Sequence, residues 1–360
     1  RGYFNGEGGA NETREGRIKA LFQPSDELSF ILSFTASRAQ SWAGGWSQGL
    51  DAPNKINYNA SYTEPNKSVP IKRDQLSLHV NYNLTGSNIT YIAAIHSTDN
   101  RGKTGVGLNR SSYQYNETTG KPTKTQAHEI RWASGEDFAM DWMTMLVGVN
   151  YYKSTYDRIT QTYQASDLNS TDPNSYNAHI FGQYNKGSET NYGIFTEETF
   201  ELSDDMRLTA GLRYDKTKLV NYAGYDFNKN LGPMMVSLNP PDIIHYPPDA
   251  TYSEDKLDFN NITYKLRFEY DLTPDNMIYL LTSTGFLPAQ NQINVLPMFS
   301  PPPDMQLVDV GFAVYPFKQQ ELTSYEVGSK NQFMGKKLQL NGSVFYYDYE
   351  GYQEAVNTNP

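Results

Sequence analysis

Apolar and polar side chains alternate along most of this chain, which is the pattern of β-strands whose two faces meet different surroundings. The apolar positions of residues 76–84 share one face and are Leu76, Leu78, Val80, Tyr82 and Leu84. Those of residues 262–270 are Ile262, Tyr264, Leu266, Phe268 and Tyr270. Turn residues divide the sequence into about twelve such segments of about ten residues each. The pattern predicts an all-β fold.

The connections between these segments alternate in length. Short connections are predicted at residues 24–27, 85–88, 134–137, 203–205, 273–275 and 334–335. Long polar connections separate them at residues 41–73, 100–124, 157–187, 221–258 and 288–320. In an up-and-down antiparallel sheet, alternate connections lie at opposite ends of the strands. The sequence therefore predicts short turns on one rim and long loops on the other, as in transmembrane barrels.

Charge placement favours a membrane barrel over a soluble sandwich. Lys265, Arg267 and Glu269 all lie opposite the apolar face of residues 262–270. A cation at mid-depth on a lipid-facing surface costs about 2–4 kcal/mol, so a lipid-facing strand must keep such residues on its other face. A sandwich would instead bury its apolar faces in a core. The prediction is an up-and-down antiparallel transmembrane β-barrel wall whose polar face lines the lumen.

Tyrosines near the strand ends suit the boundary between lipid and water, where the ring and the hydroxyl face different media. The candidates for this girdle are Tyr82, Tyr151, Tyr214, Tyr346 and Tyr349. Cross-strand packing is the alternative explanation for any one of them.

Composition narrows the function classes further. The 360 residues carry a net charge of −10, which argues against nucleic-acid binding. The absence of cysteine excludes disulfides and thiol chemistry. The five histidines have no metal-ligand spacing, and the sequence has no G-x-S-x-G elbow. We therefore expect no enzyme activity, no cofactor and no metal centre.

Three stretches in the second half of the chain resemble the β-barrel of TonB-dependent outer-membrane receptors. Residues 193–218 contain a strand, a turn and a returning G-L-R-Y-D core. Residues 271–291 contain the tyrosine strand followed by Gly285, Phe286 and Pro288, with Leu287 where the family often has arginine. Residues 321–353 contain S-Y-E-x-G-x-K and F-Y-x-D-Y. Residues 17–40 are a weaker fourth instance.

The resemblance implies a receptor in the outer membrane of a Gram-negative bacterium, surrounded by lipid. It imports a scarce solute such as a ferric siderophore, with energy from the TonB system acting through a plug domain. Such receptors have about 22 strands, so residues 1–360 are interpreted as a partial barrel domain that lacks the plug and the last strands. A non-energised porin and a soluble β-rich adhesin or carbohydrate-binding protein remain the alternatives.

Two groups of residues are the candidate sites. Aromatic rings on the long loops are predicted to meet a bulky ligand, although they can also pack within their own loops. These are Trp42, Trp46, Tyr113, Tyr115, Tyr225 and Phe299. Charged residues on the lumen face are predicted to contact the plug, with solvation of the wall as the equal alternative. These are Arg213, Lys265, Arg267, Glu269, Glu326 and Lys330.

Overall fold

A computed structural model describes residues 11–41, 50–52, 55–56, 70–109, 112–135, 140–165, 177–228, 243–246, 254–299 and 307–352. Eighteen β-strands lie in these ranges: β1 Asn11–Phe22, β2 Leu28–Ser41, β3 Leu50–Ala52, β4 Lys55–Ile56, β5 Ile71–Leu84, β6 Ser87–Asp99, β7 Gly102–Asn109, β8 Ser112–Ser134, β9 Met143–Ala165, β10 Asn177–Ser203, β11 Met206–Asn228, β12 Ile243–Tyr246, β13 Glu254–Thr273, β14 Asn276–Leu287, β15 Gln290–Phe299, β16 Leu307–Phe317, β17 Gln320–Phe333 and β18 Leu338–Glu350. The all-β prediction is confirmed.

Twelve strands form one continuous antiparallel path. Its order is β1-β2-β5-β6-β8-β9-β10-β11-β13-β14-β17-β18, with β7 paired to β8 and β12 paired to β11. Each strand of the path pairs with the next one along the chain, which is the predicted up-and-down arrangement. The sheet is open between β1 and β18, so it is part of a barrel wall.

The short turns lie together on one rim. Backbone hydrogen bonds join neighbouring turns directly, from Asn83 N to Glu27 O at 2.8 Å and from Gly135 N to Gly86 O at 2.7 Å. The same kind of bond joins Asp271 N to Asp205 O at 2.8 Å. Because these contacts run from turn to turn across the sheet, they confirm the predicted short-turn rim.

The pairing register carries the two faces across the whole sheet. Leu32 pairs with Leu78, Leu78 with Ala93, and Leu266 with Ala210 and Thr282, so the apolar positions form one continuous surface. This surface is uncovered in the described residues: Ile262 is 69% exposed, Leu266 45% and Leu340 62%. A sandwich core would have buried them. The apolar face therefore points outward to lipid.

The long connections are only partly loops, which corrects the prediction. β8, β9, β10 and β11 are 23, 23, 27 and 23 residues long and continue well into segments predicted as loops. A transmembrane strand needs about 9–11 residues, so these strands extend beyond the lipid. Alternation fails to reveal the extensions because both of their faces meet water.

The girdle prediction is correct in face for four of its five tyrosines. Tyr82 pairs with Ile89 and Tyr214 pairs with Ile262 on the apolar face. Tyr151 and Tyr346 share that face because each lies two residues from a valine of its own strand, Val149 and Val344. For Tyr349 the girdle prediction is wrong. This residue lies three residues beyond Tyr346 on the same strand and therefore points to the opposite, polar face.

Candidate functional site

A connected network of charged side chains lies on the polar face near the short-turn rim. This wall network spans four strands and consists of Arg207, Arg267, Glu269, Asp271, Tyr279, Glu326 and Lys330. Arg207 holds Asp271 through two hydrogen bonds, Nη1–Oδ2 at 2.7 Å and Nη2–Oδ1 at 3.0 Å. Its Nε lies 3.5 Å from Oε2 of Glu269, whose other oxygen pairs with Arg267. One carboxylate thus joins two guanidinium groups.

Tyr279 connects the cations of this network to Glu326. The Arg267 guanidinium lies 5.3 Å from its ring centroid, and Lys330 Nζ lies 6.0 Å from it. The Tyr279 hydroxyl donates to Glu326 Oε1 at 2.5 Å. The ring lies above Gly328, where an added Cβ would come within 2.6 Å of it. Glycine at this position is what allows the ring to lie flat on β17.

A second polar cluster lies further from the short turns. Arg213 donates from Nε to Asp215 Oδ2 at 2.6 Å and from Nη2 to Asn150 Oδ1 at 2.8 Å. Asp215 is only 3% exposed, so its carboxylate is largely removed from water, whereas the Arg213 side chain is 36% exposed. Gly193 leaves the necessary room, because a Cβ there would lie 2.1 Å from Asn150 Oδ1. This cluster joins β9, β10 and β11.

Phe195 accompanies this second cluster. The Arg213 guanidinium lies 5.4 Å from the centroid of the Phe195 ring. On the other side, the ring occupies the space above Gly148, where an added Cβ would lie 2.3 Å from its Cζ. The cation and the ring are therefore held together on the polar face by a glycine on the neighbouring strand.

An inner pocket lies beyond the second cluster, towards the long connections. It has a volume of about 220 Å³ and is lined by Tyr156, Glu189, Thr217, Leu219, Asn221, Phe259, Pro288 and Ala289. The Tyr156 hydroxyl donates to Asn221 Oδ1. Burial, assisted by the charge of Glu189, raises the pKa of Tyr156.

On the long-connection rim, hydrogen bonds from Arg101 hold the pKa of Asp99 at about 2.

Four aromatic rings follow one another along the polar face at β18. This ring ladder consists of Phe345, Tyr347, Tyr349 and Tyr352. Successive ring centroids are 4.8, 6.4 and 6.4 Å apart. Gly351 supports the last step, since its φ of 66° turns the chain and a Cβ there would lie 2.6 Å from Gln319 O. The ladder runs from the long-connection end down the wall.

All six charged candidates lie on the polar face. The structure brings Arg267, Glu269, Glu326 and Lys330 together in the wall network, whereas Arg213 belongs to the second cluster. Lys265 pairs separately with Glu197, Nζ–Oε2 3.0 Å. Sequence reasoning missed the connecting roles of Arg207, Tyr279 and Asn150. Alternation along β11 puts Arg207 opposite the apolar Leu208, on the polar face, but only the register between strands shows its partners.

The aromatic candidates can be placed only by their backbone elements. Trp42 and Trp46 lie outside the described residues. The other four occupy strands rather than loops: Tyr113 and Tyr115 lie on β8, Tyr225 on β11 and Phe299 at the end of β15. These hairpins continue as paired strands beyond the lipid, so the four residues lie in strand extensions on the long-connection side.

The described residues contain no group of three or more His, Cys, Asp or Glu side chains arranged to hold a metal ion.

In the same ranges, no α-helix has both the length and the apolar character needed to cross a bilayer.

An antiparallel sheet with an exposed apolar face, a charged opposite face and its short turns on one rim defines the wall of an outer-membrane β-barrel. The family model described as TonB dependent receptor-like, beta-barrel, matches residues 22–360. The chain belongs to this family, and the resemblance noted in the sequence is confirmed. The family places it in the outer membrane. It also favours the receptor over the porin and the soluble adhesin.

Solved structures of receptors share the fold at low sequence identity. The ferric yersiniabactin uptake receptor FyuA from Yersinia pestis has a TM-score of 0.63 and 15% identity over 95% of this chain and 46% of its own. The ferric citrate transporter FecA has a TM-score of 0.62 and 11% identity over 98% of this chain and 45% of its own. The ferric-catecholate import receptor Fiu from E. coli K12 has a TM-score of 0.56 and 14% identity over 95% of this chain and 52% of its own.

The chain spans about half the length of these structures. No curated protein sequence matches it significantly.

Proposed function

We propose that this chain forms part of the wall of an outer-membrane receptor that imports a ferric siderophore with energy from the TonB system. The observation that carries the proposal is the shared fold with receptors named for ferric yersiniabactin, ferric catecholates and ferric citrate. A copper transporter, OprC, shares the fold with a TM-score of 0.54, so the fold alone leaves the solute open. The uptake experiment below therefore compares ferric siderophores with copper and cobalamin.

The charged face supports a plug contact. We assign the plug-facing role to Arg213, Lys265, Arg267, Glu269, Glu326 and Lys330. The wall network is held by internal ion pairs on one side of the sheet. Among the described residues Lys330 forms no ion pair, and its Nζ lies 6.0 Å from the centroid of the Tyr279 ring. A wall built this way offers fixed charges to a domain inside the lumen, and polar contacts of that kind can break and re-form when the plug moves.

The ring ladder supports a route for the ligand. Its rings lie on the polar face, and they begin at the long-connection end where a solute would arrive. Flat rings bury contact area at a low cost in conformational entropy, which suits the binding of a bulky chelate. The inner pocket beside Tyr156 and Phe259 lies on the same face. Rim contacts by Trp42, Trp46, Tyr113, Tyr115, Tyr225 and Phe299 complete the proposed route.

Uptake measurements test the proposed activity. The complete receptor is expressed in cells that lack their own siderophore receptors, and uptake of the radiolabelled solute is followed for a panel of ferric siderophores, for copper and for cobalamin. We expect one siderophore class to be taken up, and the uptake to disappear when the gene for the energy-coupling protein is deleted. Uptake that persists without that protein would contradict energised import, and uptake of copper or cobalamin alone would contradict the substrate class.

The ring ladder gives a variant with an adjacent control. Tyr347→Ala removes a ring from the polar face, and we expect it to weaken siderophore binding about 2- to 12-fold, the effect of losing an aromatic contact of about 0.5–1.5 kcal/mol. Tyr346→Ala removes the neighbouring ring from the lipid face and is expected to leave affinity unchanged. Both are measured on the purified complete receptor by quenching of tryptophan fluorescence. Equal losses in the two variants would remove the ladder from the route.

A further inference from the structure

The inner pocket contains a carboxylate that has no cationic partner. Glu189 lines the pocket from β10, and among the described residues its carboxylate forms no ion pair and no hydrogen bond. Eight residues further along the same strand face, Glu197 is paired with Lys265 at 3.0 Å. On the next strand, Asp215 is held by Arg213. Glu189 differs from these two acids because its charge is not compensated.

The strand residues that line this pocket lie on the polar face. Tyr156 is six residues from Asn150 on β9, and this even spacing keeps it on the side of the second cluster. On β11, Thr217 is two residues from Asp215 and therefore shares its face. Phe259 of β13 pairs with Thr217. The pocket is therefore part of the lumen wall, between the second cluster and the long connections.

Two further oxygen atoms of the pocket are held in place across a glycine. The Tyr156 ring crosses β10 above Gly187, where an added Cβ would lie 2.5 Å from the phenol oxygen. The Tyr156 hydroxyl donates to Asn221 Oδ1 on β11. Because the hydroxyl proton is used in that bond, the lone pairs of the phenol oxygen and the second lone pair of Asn221 Oδ1 stay available. The pocket therefore combines one carboxylate with two further acceptors.

Apart from Thr217, the rest of the lining is apolar. It consists of Leu219, Phe259, Pro288 and Ala289. Phe259 adds an aromatic face, which attracts a cation. The volume of about 220 Å³ is below the range of about 300–1,000 Å³ that encloses a drug-sized ligand. The pocket therefore has room for one arm of a larger solute and not for a whole chelate.

We propose that the inner pocket binds a protonated primary amine at the end of an alkyl arm of the imported solute. An ammonium group has three donors and no acceptor, which matches a carboxylate and two acceptor oxygens. Glu189 supplies the opposite charge, Tyr156 and Asn221 supply the oxygens, and the apolar lining contacts the alkyl chain. A carboxylate arm would instead be repelled by Glu189. The source of the amine rests on the proposed import function, whereas the chemistry of the pocket does not.

Binding of a small amine by the complete receptor tests the pocket itself. The probe is 5-amino-1-pentanol, and 1,5-pentanediol is its neutral counterpart. Saturation-transfer NMR titrations of receptor in neutral detergent give both dissociation constants. Glu189→Gln keeps the shape of the side chain and removes its charge. We expect this variant to bind the amine about tenfold more weakly, the loss of a hydrogen bond between charged groups, and to bind the diol as the wild type does.

Glu201→Gln is the matched control. Glu201 lies on the same face of β10, twelve residues nearer the short turns, which is about 40 Å along the strand. This variant is expected to bind the amine at the wild-type level. Equal amine affinity in the wild type and in Glu189→Gln would overturn the inference. So would equal losses in the two variants, or diol binding as tight as amine binding in the wild type.

A second measurement tests the source of the amine. The siderophore class found in the uptake experiment is compared in two forms, one with a free primary amine on an alkyl arm and one with that amine acetylated. We expect the wild type to bind the free amine about tenfold more tightly and Glu189→Gln to lose this preference. Equal binding of both forms by the wild type would overturn the assignment to the solute. If no siderophore is imported, the proposed function fails, while the amine titration still decides the chemistry of the pocket.

Discussion

Leu78→Arg is expected to lower the free energy of unfolding of the complete receptor in lipid vesicles by about 2–4 kcal/mol, the cost of an arginine at mid-depth on a lipid-facing strand. Leu78 lies on the outer face, between Leu32 on β2 and Ala93 on β6. It is the second of the five outward apolar positions of its strand, residues 76–84. The arginine would have to reach the headgroups along its own side chain or draw water into the hydrocarbon. Equilibrium unfolding in urea, followed by tryptophan fluorescence, measures the loss.

The adjacent residue provides the control for this prediction. Ser77 lies on the polar face of the same strand, between Ser33 and Ala94, where an arginine can point into the lumen. Ser77→Arg should therefore change stability by less than about 0.5 kcal/mol, as surface substitutions usually do. If Ser77→Arg were the more destabilising of the two, the faces would be assigned the wrong way round.

Arg207→Met is expected to destabilise the receptor by about 1.5–3 kcal/mol, the range for hydrogen bonds to charged groups. Arg207 holds Asp271 with two hydrogen bonds and also approaches Glu269, and its side chain is only 25% exposed. Methionine fills similar volume but leaves the Asp271 carboxylate without its cation. The same vesicle unfolding experiment measures the change.

Two further variants separate the ion pair from the loss of packing. Arg207→Met combined with Asp271→Leu should cost less than the sum of the single changes, because both charges are then removed together. Lys265→Met breaks the more exposed pair with Glu197 and should cost less than about 1 kcal/mol. Strictly additive losses for Arg207 and Asp271 would show that the pair contributes no coupling.

The sequence was sufficient to predict the twelve-strand path, because one face of each strand must be apolar in lipid and the other need not be. The sequence was not sufficient where both faces of a strand are polar. The outer halves of β8 to β11 meet water on both faces, so they were predicted as loops. Tyr349 was assigned to the girdle by its nearness to a strand end, although alternation from Tyr346 already places it on the polar face.

The glutamates of residues 197–201 show a second limit. Register places Glu197 and Glu201 on the polar face and Glu198 on the apolar face, where Thr196 donates a hydrogen bond to its carboxylate. A neighbour two residues away on the same strand can therefore satisfy a charge that the alternating pattern leaves unexplained. The wall network was hidden for a related reason: its cross-strand partners are far apart in the chain, 64 residues for Arg207 and Asp271 and 47 for Tyr279 and Glu326.

The rings of Tyr279 and Phe195, each fitted above a glycine of the next strand, have a consequence for how the wall assembles. Sliding β14 by two residues along β17 would keep both faces correctly oriented and would cost nothing in apolar matching. It would, however, drive Tyr279 from Gly328 onto Glu326 or Lys330. A similar slip of β10 against β9 would move Phe195 from Gly148 onto Leu146 or Asn150. The fit of each ring above a glycine therefore disfavours hairpins shifted by two residues, which the match of apolar faces alone would not exclude.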